Sequence, residues 1–284
     1  MSGAVGLHTA TIGSGPVPVV LLHGLLGQGQ NLSTAARGIA DLATSLLVDV
    51  PNHGRSGRTE HVDYLELADV IAGELRARGA AERPVVLVGH SMGGKIAMCL
   101  TLRHPDLVAG LVVVDVSPVE HDGAESFGRI IDAMLALDLT RLHSRAEADE
   151  ALASAVPDPT VRGFVLQNLR RTDDEPGWAW LGDPRLLRAE LDVVCGFPDM
   201  AGARWDGPVL WIAGADSDYV QDRHEPAMRA LFPRVRLVRV RGAGHWVHAD
   251  RPQVFIGLLR AFLAPWSAGA GTRPARPGGG LSPA

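Results

Sequence analysis

Short apolar runs alternate with amphipathic stretches along most of the chain. Six of these runs are rich in β-branched residues and are bounded by turn-forming residues, a pattern typical of buried strands. The predicted strands cover residues 17–22, 45–50, 85–89, 111–116, 209–213 and 235–240. The intervening stretches place apolar residues at helical spacing, as after Asp250, which we expect to cap the last helix. This alternation predicts an α/β fold with a doubly wound, mostly parallel sheet.

The alternation of strands and helices stops between residues 119 and 205. Apolar residues in this stretch recur at helical spacing, and Asp158-Pro159 and Asp183-Pro184 each place a capping carboxylate before a first-turn proline. We expect residues 119–205 to form an inserted cap of four short helices on a core made of residues 1–118 and 206–266. Residues 267–284 contain few large apolar side chains, so we expect a disordered tail.

Composition narrows the class of protein. The chain has 284 residues, of which 46% are apolar and 21% are charged, so it can bury a large core. A net charge of -5, without a basic stripe among aromatic residues, argues against a nucleic-acid partner. No apolar run approaches the roughly 20 residues that a membrane helix needs, and the first residues do not resemble a secretory signal. We therefore expect a cytoplasmic protein without membrane contact, and its two separated cysteines indicate neither a metal site nor a disulfide.

The predicted strand 85–89 runs directly into Gly89-His90-Ser91-Met92-Gly93. This Gly-x-Ser-x-Gly pattern is typical of a nucleophile elbow, in which a sharp turn from strand to helix strains the central residue and the glycines leave room for close backbone contact. Ser91 is therefore the predicted nucleophile, and the alternative is a flexible glycine-rich loop. Lys95 lies in the first turn of the following helix, where we expect it to reach solvent or a carboxylate.

A serine nucleophile needs a base within hydrogen-bond reach and a carboxylate that orients the base. Because the carboxyl ends of parallel strands lie along one edge of the sheet, the base should follow a strand. His245 follows the last predicted strand on a glycine-rich loop and is the predicted base. Its nearest competitor, His248, is expected to support that loop. His90 is expected to pack within the elbow, and six other histidines, His121 among them, are expected at the surface.

The tetrahedral intermediate of acyl transfer carries an oxyanion, which needs backbone N–H donors. One donor is expected from Met92, the residue after the nucleophile. The second is expected from Leu25, because His23-Gly24-Leu25-Leu26-Gly27 directly follows the strand 17–22 and its glycines allow the loop to turn toward Ser91. The alternative for this loop is a simple glycine-rich turn.

Four motifs, HGLLG, DVPNHGRS, GHSMGG and GAGHWVH, occur in this order and resemble those of the α/β-hydrolase fold family. The resemblance spans nearly the whole chain. The chain resembles the small bacterial YbfF-type esterases most clearly. In those esterases a lysine follows the elbow and the histidine loop reads GAGHWVHA. The resemblance implies a serine hydrolase with an inserted helical cap, and it does not specify a substrate.

The family resemblance leaves two positions for the acid. In most members the acid lies three residues beyond the glycine at the end of the strand 209–213, which is Gly214 here, but that position is Ser217, flanked by Asp216 and Asp218. A second position known in the fold is the end of the preceding strand, where this chain has Asp115. We favour Asp115, with Asp216 and Asp218 as alternatives, and the YbfF-type resemblance adds Ser217 as a fourth member of the site. The alternative role for Asp115 is a structural one, in which its carboxylate only binds the amides of a loop.

These residues predict hydrolysis of a small-molecule carboxylic ester or thioester, with a small to medium acyl chain, through an acyl-enzyme on Ser91. No metal or organic cofactor is implied. Carbon-carbon bond hydrolysis, perhydrolysis and lyase chemistry use the same residues, and a slow-turnover ligand-binding receptor is an alternative of another class. Large apolar side chains of the cap are candidates for the substrate pocket, although they could instead pack the cap itself. They are Phe127, Met134, Phe164, Trp178, Trp180 and Phe197.

Overall fold

A single seven-stranded sheet forms the centre of the described part of the chain. The structure is a computed structural model that describes residues 5–173 and 177–267. The strands are β1 (Thr9–Ile12), β2 (Val17–Leu22), β3 (Ala43–Val48), β4 (Val85–His90), β5 (Val108–Val114), β6 (Leu169–Arg171), β7 (Trp178–Trp180), β8 (Val209–Gly214) and β9 (Val235–Val240). The sheet has the order β1-β3-β2-β4-β5-β8-β9, and its pairs are parallel except that of β1 with β3. The predicted doubly wound, mostly parallel sheet is confirmed. All six predicted strands are present, and the short edge strand β1 was not predicted.

The helices cover both faces of this sheet. They are α1 (Ser33–Gly38), α2 (Tyr64–Ala77), α3 (Met92–Arg103), α4 (Ala124–Ala136), α5 (Arg145–Leu152), α6 (Pro159–Leu166), α7 (Pro184–Ala189), α8 (Leu191–Cys195), α9 (Glu225–Leu231), α10 (Val247–Asp250) and α11 (Pro252–Ser267). Side chains of β4 alternate between the faces: Val85 and Leu87 pack with α2 and α3, whereas Val86 and Val88 pack with α1 and α11. No helix in the described ranges is long and apolar enough to cross a membrane.

Two predicted strands end earlier than their apolar runs. β3 ends at Val48 and β5 at Val114, although the runs continue to residues 50 and 116. Asp115 has a positive φ of 48°, which turns the chain out of the sheet. Val50 and Val116 are nevertheless buried. The loop residues that follow these strands are buried and apolar, so the apolar pattern made the predicted strands too long.

The described part of the 119–205 segment contains five α-helices, α4 to α8, and the two-stranded antiparallel hairpin β6-β7. The predicted number of four helices was wrong, because residues 184–195 form two helices broken at Glu190 and the hairpin was not foreseen. The predicted caps are confirmed: Asp158 accepts hydrogen bonds from the amides of α6, and Asp183 from the amide of Leu186. Residues 268–284, which include nearly all of the predicted tail, lie outside the described residues.

The last helix does not use its predicted cap. Asp250 is the final residue of α10, and its carboxylate accepts a hydrogen bond of 2.8 Å from the amide of Gly244. The helix α11 instead starts at Pro252, whose fixed φ and missing N–H suit a first helical turn. Asp250 thus stabilises the loop that precedes α10, which carries His245.

Candidate active site

Ser91 stands between the end of β4 and the start of α3. Its backbone angles, φ 52° and ψ -121°, lie in a region that non-glycine residues rarely adopt, which costs about 1–3 kcal/mol. The amide of Ser91 donates to the carbonyl of Val114 at 2.9 Å, which joins the turn to the end of β5. A Cβ at Gly93 would lie only 2.5 Å from the carbonyl oxygens of Leu22 and His23. Glycine at 93 therefore allows the close packing that holds the strained turn.

Ser91, His245 and Asp115 form a continuous hydrogen-bonded chain. The Oγ of Ser91 lies 3.0 Å from Nε2 of His245, and Nδ1 of His245 lies 2.8 Å from Oδ2 of Asp115. A carboxylate accepts only, so Nδ1 carries the hydrogen and Nε2 presents its lone pair to the serine hydroxyl. This tautomer can remove a proton from Ser91, which is the arrangement that a weak hydroxyl nucleophile requires.

The carboxylate of Asp115 is fully buried, with 0% of the residue exposed. Besides His245, it accepts hydrogen bonds from the amide of Gly214 at 2.8 Å and from the hydroxyl of Ser217 at 2.5 Å. Three donors thus fix both carboxylate oxygens. Such a carboxylate can hold one orientation of the imidazole.

The alternative acids do not contact His245. Asp216 is exposed, and the side chain of Asp218 is 77% exposed. The Oδ1 of Asp218 lies 3.6 Å from Nε2 of His121 instead. Asp115 is thus the carboxylate that the fold brings to His245, and Ser217, which lies between Asp216 and Asp218, donates to the same oxygen of Asp115.

Leu25 and Met92, the expected oxyanion donors, both lie beside Ser91 in the pocket lining. Met92 is the first residue of α3, where an amide has no partner within the helix. The loop that carries Leu25 approaches the elbow closely, because a Cβ at Gly24 would meet Nδ1 of His90 at 3.0 Å and Cβ of Ser91 at 3.1 Å. A side chain at position 24 would push this loop away from the nucleophile.

Buried neutral imidazoles surround His245. Nε2–H of His90 donates to the carbonyl of His245 at 2.9 Å, and the rings of His90 and His248 are 4.7 Å apart. Burial lowers the pKa of His90 well below its usual value and the pKa of His248 to about 4. Burial also lowers the pKa of His23, whose ring bridges the Gly24 carbonyl and the Val50 amide. These three rings therefore hold the loops without bringing positive charge to the site at neutral pH.

Two pockets in the described part of the chain share Ser91, Leu25 and Phe127. We call the first the histidine pocket. It is lined by His90, His245, His248, Trp246 and Phe164, among others. The second, the apolar pocket, is lined by Met92, Val116, Val194, Cys195 and Tyr219, with Lys95 and His121 also at its wall. Ser91 thus lies in the wall of both pockets.

Two of the six candidate pocket residues reach these pockets. Phe127 of α4 lines both, and Phe164 of α6 lines the histidine pocket. The other four line neither pocket in the described ranges. Met134 is buried, and its carbonyl accepts a hydrogen bond from the indole of Trp180; Trp178 packs beneath the guanidinium of Arg171, and Phe197 lines a separate surface groove.

The expectation that Lys95 reaches solvent or a carboxylate was wrong. The residue is 3% exposed, and its ammonium donates to the carbonyls of Val194, Cys195 and Gly196 at 3.2, 2.6 and 2.5 Å. Burial lowers the pKa of Lys95 to about 8. The N-terminal end of α3 disfavours a cation, but the carbonyls at the end of α8 are the partners of Lys95 and attract its ammonium. The signal for burial in the sequence was the position of this lysine within an otherwise apolar helix.

His121, which was expected at the surface, is only partly exposed, with 19% of its side chain accessible. Its ring stacks on Tyr219 with a centroid distance of 3.7 Å, and Tyr219 stacks on His245 at 3.9 Å. Sequence reasoning did not single out Tyr219. Its position directly after the loop with Asp216, Ser217 and Asp218 was the available signal.

Comparison with known proteins agrees with this architecture. A family model described as the alpha/beta hydrolase fold matches residues 17–252. The sn-1-specific diacylglycerol lipase ABHD11 of Mus musculus is 38% identical over 252 residues, which cover 87% of this chain and 80% of that protein. Esterase YbfF of Escherichia coli (strain K12) is 30% identical over 246 residues, which cover 87% of this chain and 92% of that protein. A solved structure described as a marine microorganism esterase has a TM-score of 0.86 at 30% identity, and the match covers 91% and 99% of the two chains.

Proposed function

This chain belongs to the α/β-hydrolase fold family, and from that premise we propose that it is a serine esterase with Ser91 as nucleophile, His245 as base and Asp115 as acid. Its relatives include an esterase and a lipase at 30% and 38% identity, which supports an ester hydrolase. The observation that carries the proposal is the chain of two hydrogen bonds, 3.0 and 2.8 Å long, from the serine hydroxyl through the imidazole to the carboxylate.

Acylation begins when the Oγ of Ser91 attacks the ester carbonyl carbon and its proton passes to Nε2 of His245. The carbonyl oxygen becomes an oxyanion, which the amides of Leu25 and Met92 stabilise. The imidazolium of His245, held by Asp115, then gives its proton to the departing alkoxide. The alcohol leaves, and the acyl group remains bound to Ser91.

Deacylation repeats these steps with water as the nucleophile. His245 removes a proton from the water, which attacks the acyl carbonyl, and the same two amides stabilise the second oxyanion. The proton returns to the Oγ of Ser91 as the carboxylic acid leaves. No redox step and no organic cofactor enters this scheme.

The position of His245 assigns the two pockets to the two halves of the ester. The leaving oxygen must reach Nε2 of His245, so the alcohol half lies in the histidine pocket, which this residue lines. The acyl half then extends into the apolar pocket, whose walls include Val116, Val194 and Tyr219. We propose that this pocket takes small to medium acyl chains; its wall also includes Lys95 and His121.

Two further assignments belong to this proposal. Ser217 acts as the fourth member of the site, because its hydroxyl donates to the same oxygen of Asp115 that accepts from His245. The 119–205 segment acts as the cap over the core of residues 1–118 and 206–266, supported by the contribution of Phe127 and Phe164 to the pockets.

The test is hydrolysis of p-nitrophenyl esters and matching acyl thioesters of graded chain length by the wild type, Ser91→Ala and a matched control. Ser45→Ala is that control, since its hydroxyl is buried on β3 and has no hydrogen-bond partner among the described residues. We expect Ser91→Ala to lower kcat by at least about 10⁴-fold and Ser45→Ala to stay within about twofold. Unchanged activity in Ser91→Ala would overturn the mechanism. A burst of p-nitrophenol followed by a stall would instead favour a slow-turnover receptor.

A further inference from the structure

Tyr219 contacts His245 but has no place in the proton path. The two rings lie with centroids 3.9 Å apart and planes inclined by 23°. His121 stacks on Tyr219 at 3.7 Å and 13°, necessarily on its opposite face. We call these three side chains the ring stack. Tyr219 occupies its centre.

The backbone of Tyr219 is fixed by the same loop that contacts the acid. Its amide donates to Oγ of Ser217 at 3.3 Å, and that hydroxyl donates to Asp115. Its carbonyl accepts a hydrogen bond of 2.8 Å from the hydroxyl of Ser117. Tyr219 is therefore held in a position defined relative to Asp115, and so to His245.

Stacking places Tyr219 on a part of His245 that the hydrogen bonds leave free. Ser91 and Asp115 bind the two nitrogens in the plane of the imidazole, so only the faces remain. When the imidazole accepts a proton, positive charge spreads over the ring, and the negative face of an aromatic neighbour attracts it. Burial raises the pKa of the Tyr219 phenol, so this neighbour stays neutral at the pH of an assay.

We propose that Tyr219 is a positioning residue that favours the protonated form of His245 during acylation, through the face-to-face contact of the two rings. The inference rests on the proposed function, because it assumes that His245 is the base. A smaller side chain at position 219 would remove the contact and leave the in-plane hydrogen bonds of His245 intact. The expected signature is weaker protonation of His245 together with slower turnover.

Other titratable groups also face the ring stack. Asp115 and Ser91 bind the edges of His245, His90 lies 4.8 Å from it, and His248 packs behind His90. On the far side, Asp218 approaches His121, and Lys95 adds its charge across the apolar pocket. Burial lowers the pKa of His121, which keeps positive charge off the second face of Tyr219 at neutral pH. Of these groups, His121 also loses a ring contact when position 219 is substituted, because it stacks on Tyr219 itself.

The test compares Tyr219→Leu with Tyr219→Phe, and uses Phe262→Leu as the control. Phe262 makes a ring contact with Trp266 on α11 and lies beside Gly110, toward the end of β5 that is opposite Asp115. For p-nitrophenyl acetate between about pH 5 and 9, we expect Tyr219→Leu to lower kcat about 3- to 20-fold. Its acidic limb should move to lower pH by about half a unit to one unit, since the protonated imidazole has lost a favourable contact. Tyr219→Phe should restore at least half of kcat and the position of that limb.

A second measurement does not depend on turnover. The titration of the His245 ring, followed by NMR in the free protein, should move to lower pH in Tyr219→Leu but in neither Tyr219→Phe nor Phe262→Leu. A folded Tyr219→Leu variant whose His245 titrates as in the wild type would overturn the proposal. Equal impairment in the Leu and Phe variants would also overturn it, because the phenol hydroxyl would then be responsible. Tyr219→Met serves as a second non-aromatic variant if Tyr219→Leu lowers the Tm, and the NMR result stands even if esters are not the substrates.

Discussion

Two regions of the molecule position their side chains by different means. One is the edge of the sheet where the parallel strands end, which we call the strand edge and which carries Ser91, Asp115 and His245. The other is the 119–205 segment, which carries Phe127. At the strand edge, backbone hydrogen bonds determine position: the Ser91 amide donates to Val114, and the Asp115 amide donates to Ile212 at 2.8 Å. In the 119–205 segment, packing between helices decides which side chain reaches the pocket. Positions fixed by the backbone follow from strand order, whereas positions fixed by packing depend on neighbours that are distant in sequence.

The largest effect is expected from a substitution at the strand edge. Asp115→Asn should lower kcat about 10³- to 10⁴-fold, because an amide can stabilise the wrong tautomer of His245 and cannot balance the imidazolium. Asp218→Asn is the matched control and should change kcat by less than about twofold, since its carboxylate is exposed and does not contact His245. Steady-state kinetics with p-nitrophenyl acetate measures kcat of both variants. The opposite ranking would move the acid to the loop after β8.

The next prediction concerns the link between the two regions. Lys95→Met should lower the free energy of unfolding by about 3–4 kcal/mol, because three carbonyls at the end of α8 lose a buried charged donor. Arg251→Met is the control, since Arg251 is exposed and donates to the carbonyl of Gly242, and it should cost less than about 1 kcal/mol. Urea denaturation measures both. Equal losses would mean that burial of the ammonium contributes nothing.

A third comparison lies within α4. Met134 is buried and lines neither pocket among the described residues, so Met134→Ala should cost about 2–3 kcal/mol of stability and leave the preferred acyl length unchanged. Phe127 lines both pockets, so Phe127→Ala should cost less stability and shift the preference toward longer chains. Denaturation and the ester series together separate the two effects. A changed chain-length preference in Met134→Ala would place Met134 in the substrate pocket.

The smallest effect expected of a single residue is the response of buried histidines to acid. Burial lowers the pKa of His53 to about 3 and the pKa of His248 to about 4, below their unfolded values near 6.5. The unfolded chain therefore binds more protons as the pH falls below about 6.5, and stability decreases from there toward pH 4. Between pH 6.5 and 4.5 each ring should remove on the order of 2 kcal/mol, measured by urea denaturation. His248→Phe should have a shallower pH dependence than the wild type; an identical slope would show that His248 makes no contribution.

The same contrast explains what the sequence could predict. The elbow around Ser91, the glycine-rich loop of His245 and the strand end at Asp115 are local features of chain order, and the order of strands brings them to one edge. Phe127 and Met134 lie seven residues apart on one face of α4, yet only Phe127 reaches the pocket. The spacing of apolar residues predicts which face of the helix is buried. It does not predict which turn of that face lies over Ser91. The partners of Lys95 were predicted wrongly and Tyr219 was not singled out, because their partners come from the end of α8 and from the loop that carries His245.

The carbonyl of Cys195 accepts hydrogen bonds from both the amide of His121 and the ammonium of Lys95. The start and the end of the 119–205 segment are thus fastened to each other and to α3 at a single atom. Residues 121–195 are not independent of the core, however, because Asn168 also donates to the carbonyl of Leu26 and the amide of Gly182 to the carbonyl of Gly54. A replacement for this segment would have to supply these contacts with the core loops as well as the junction at Cys195.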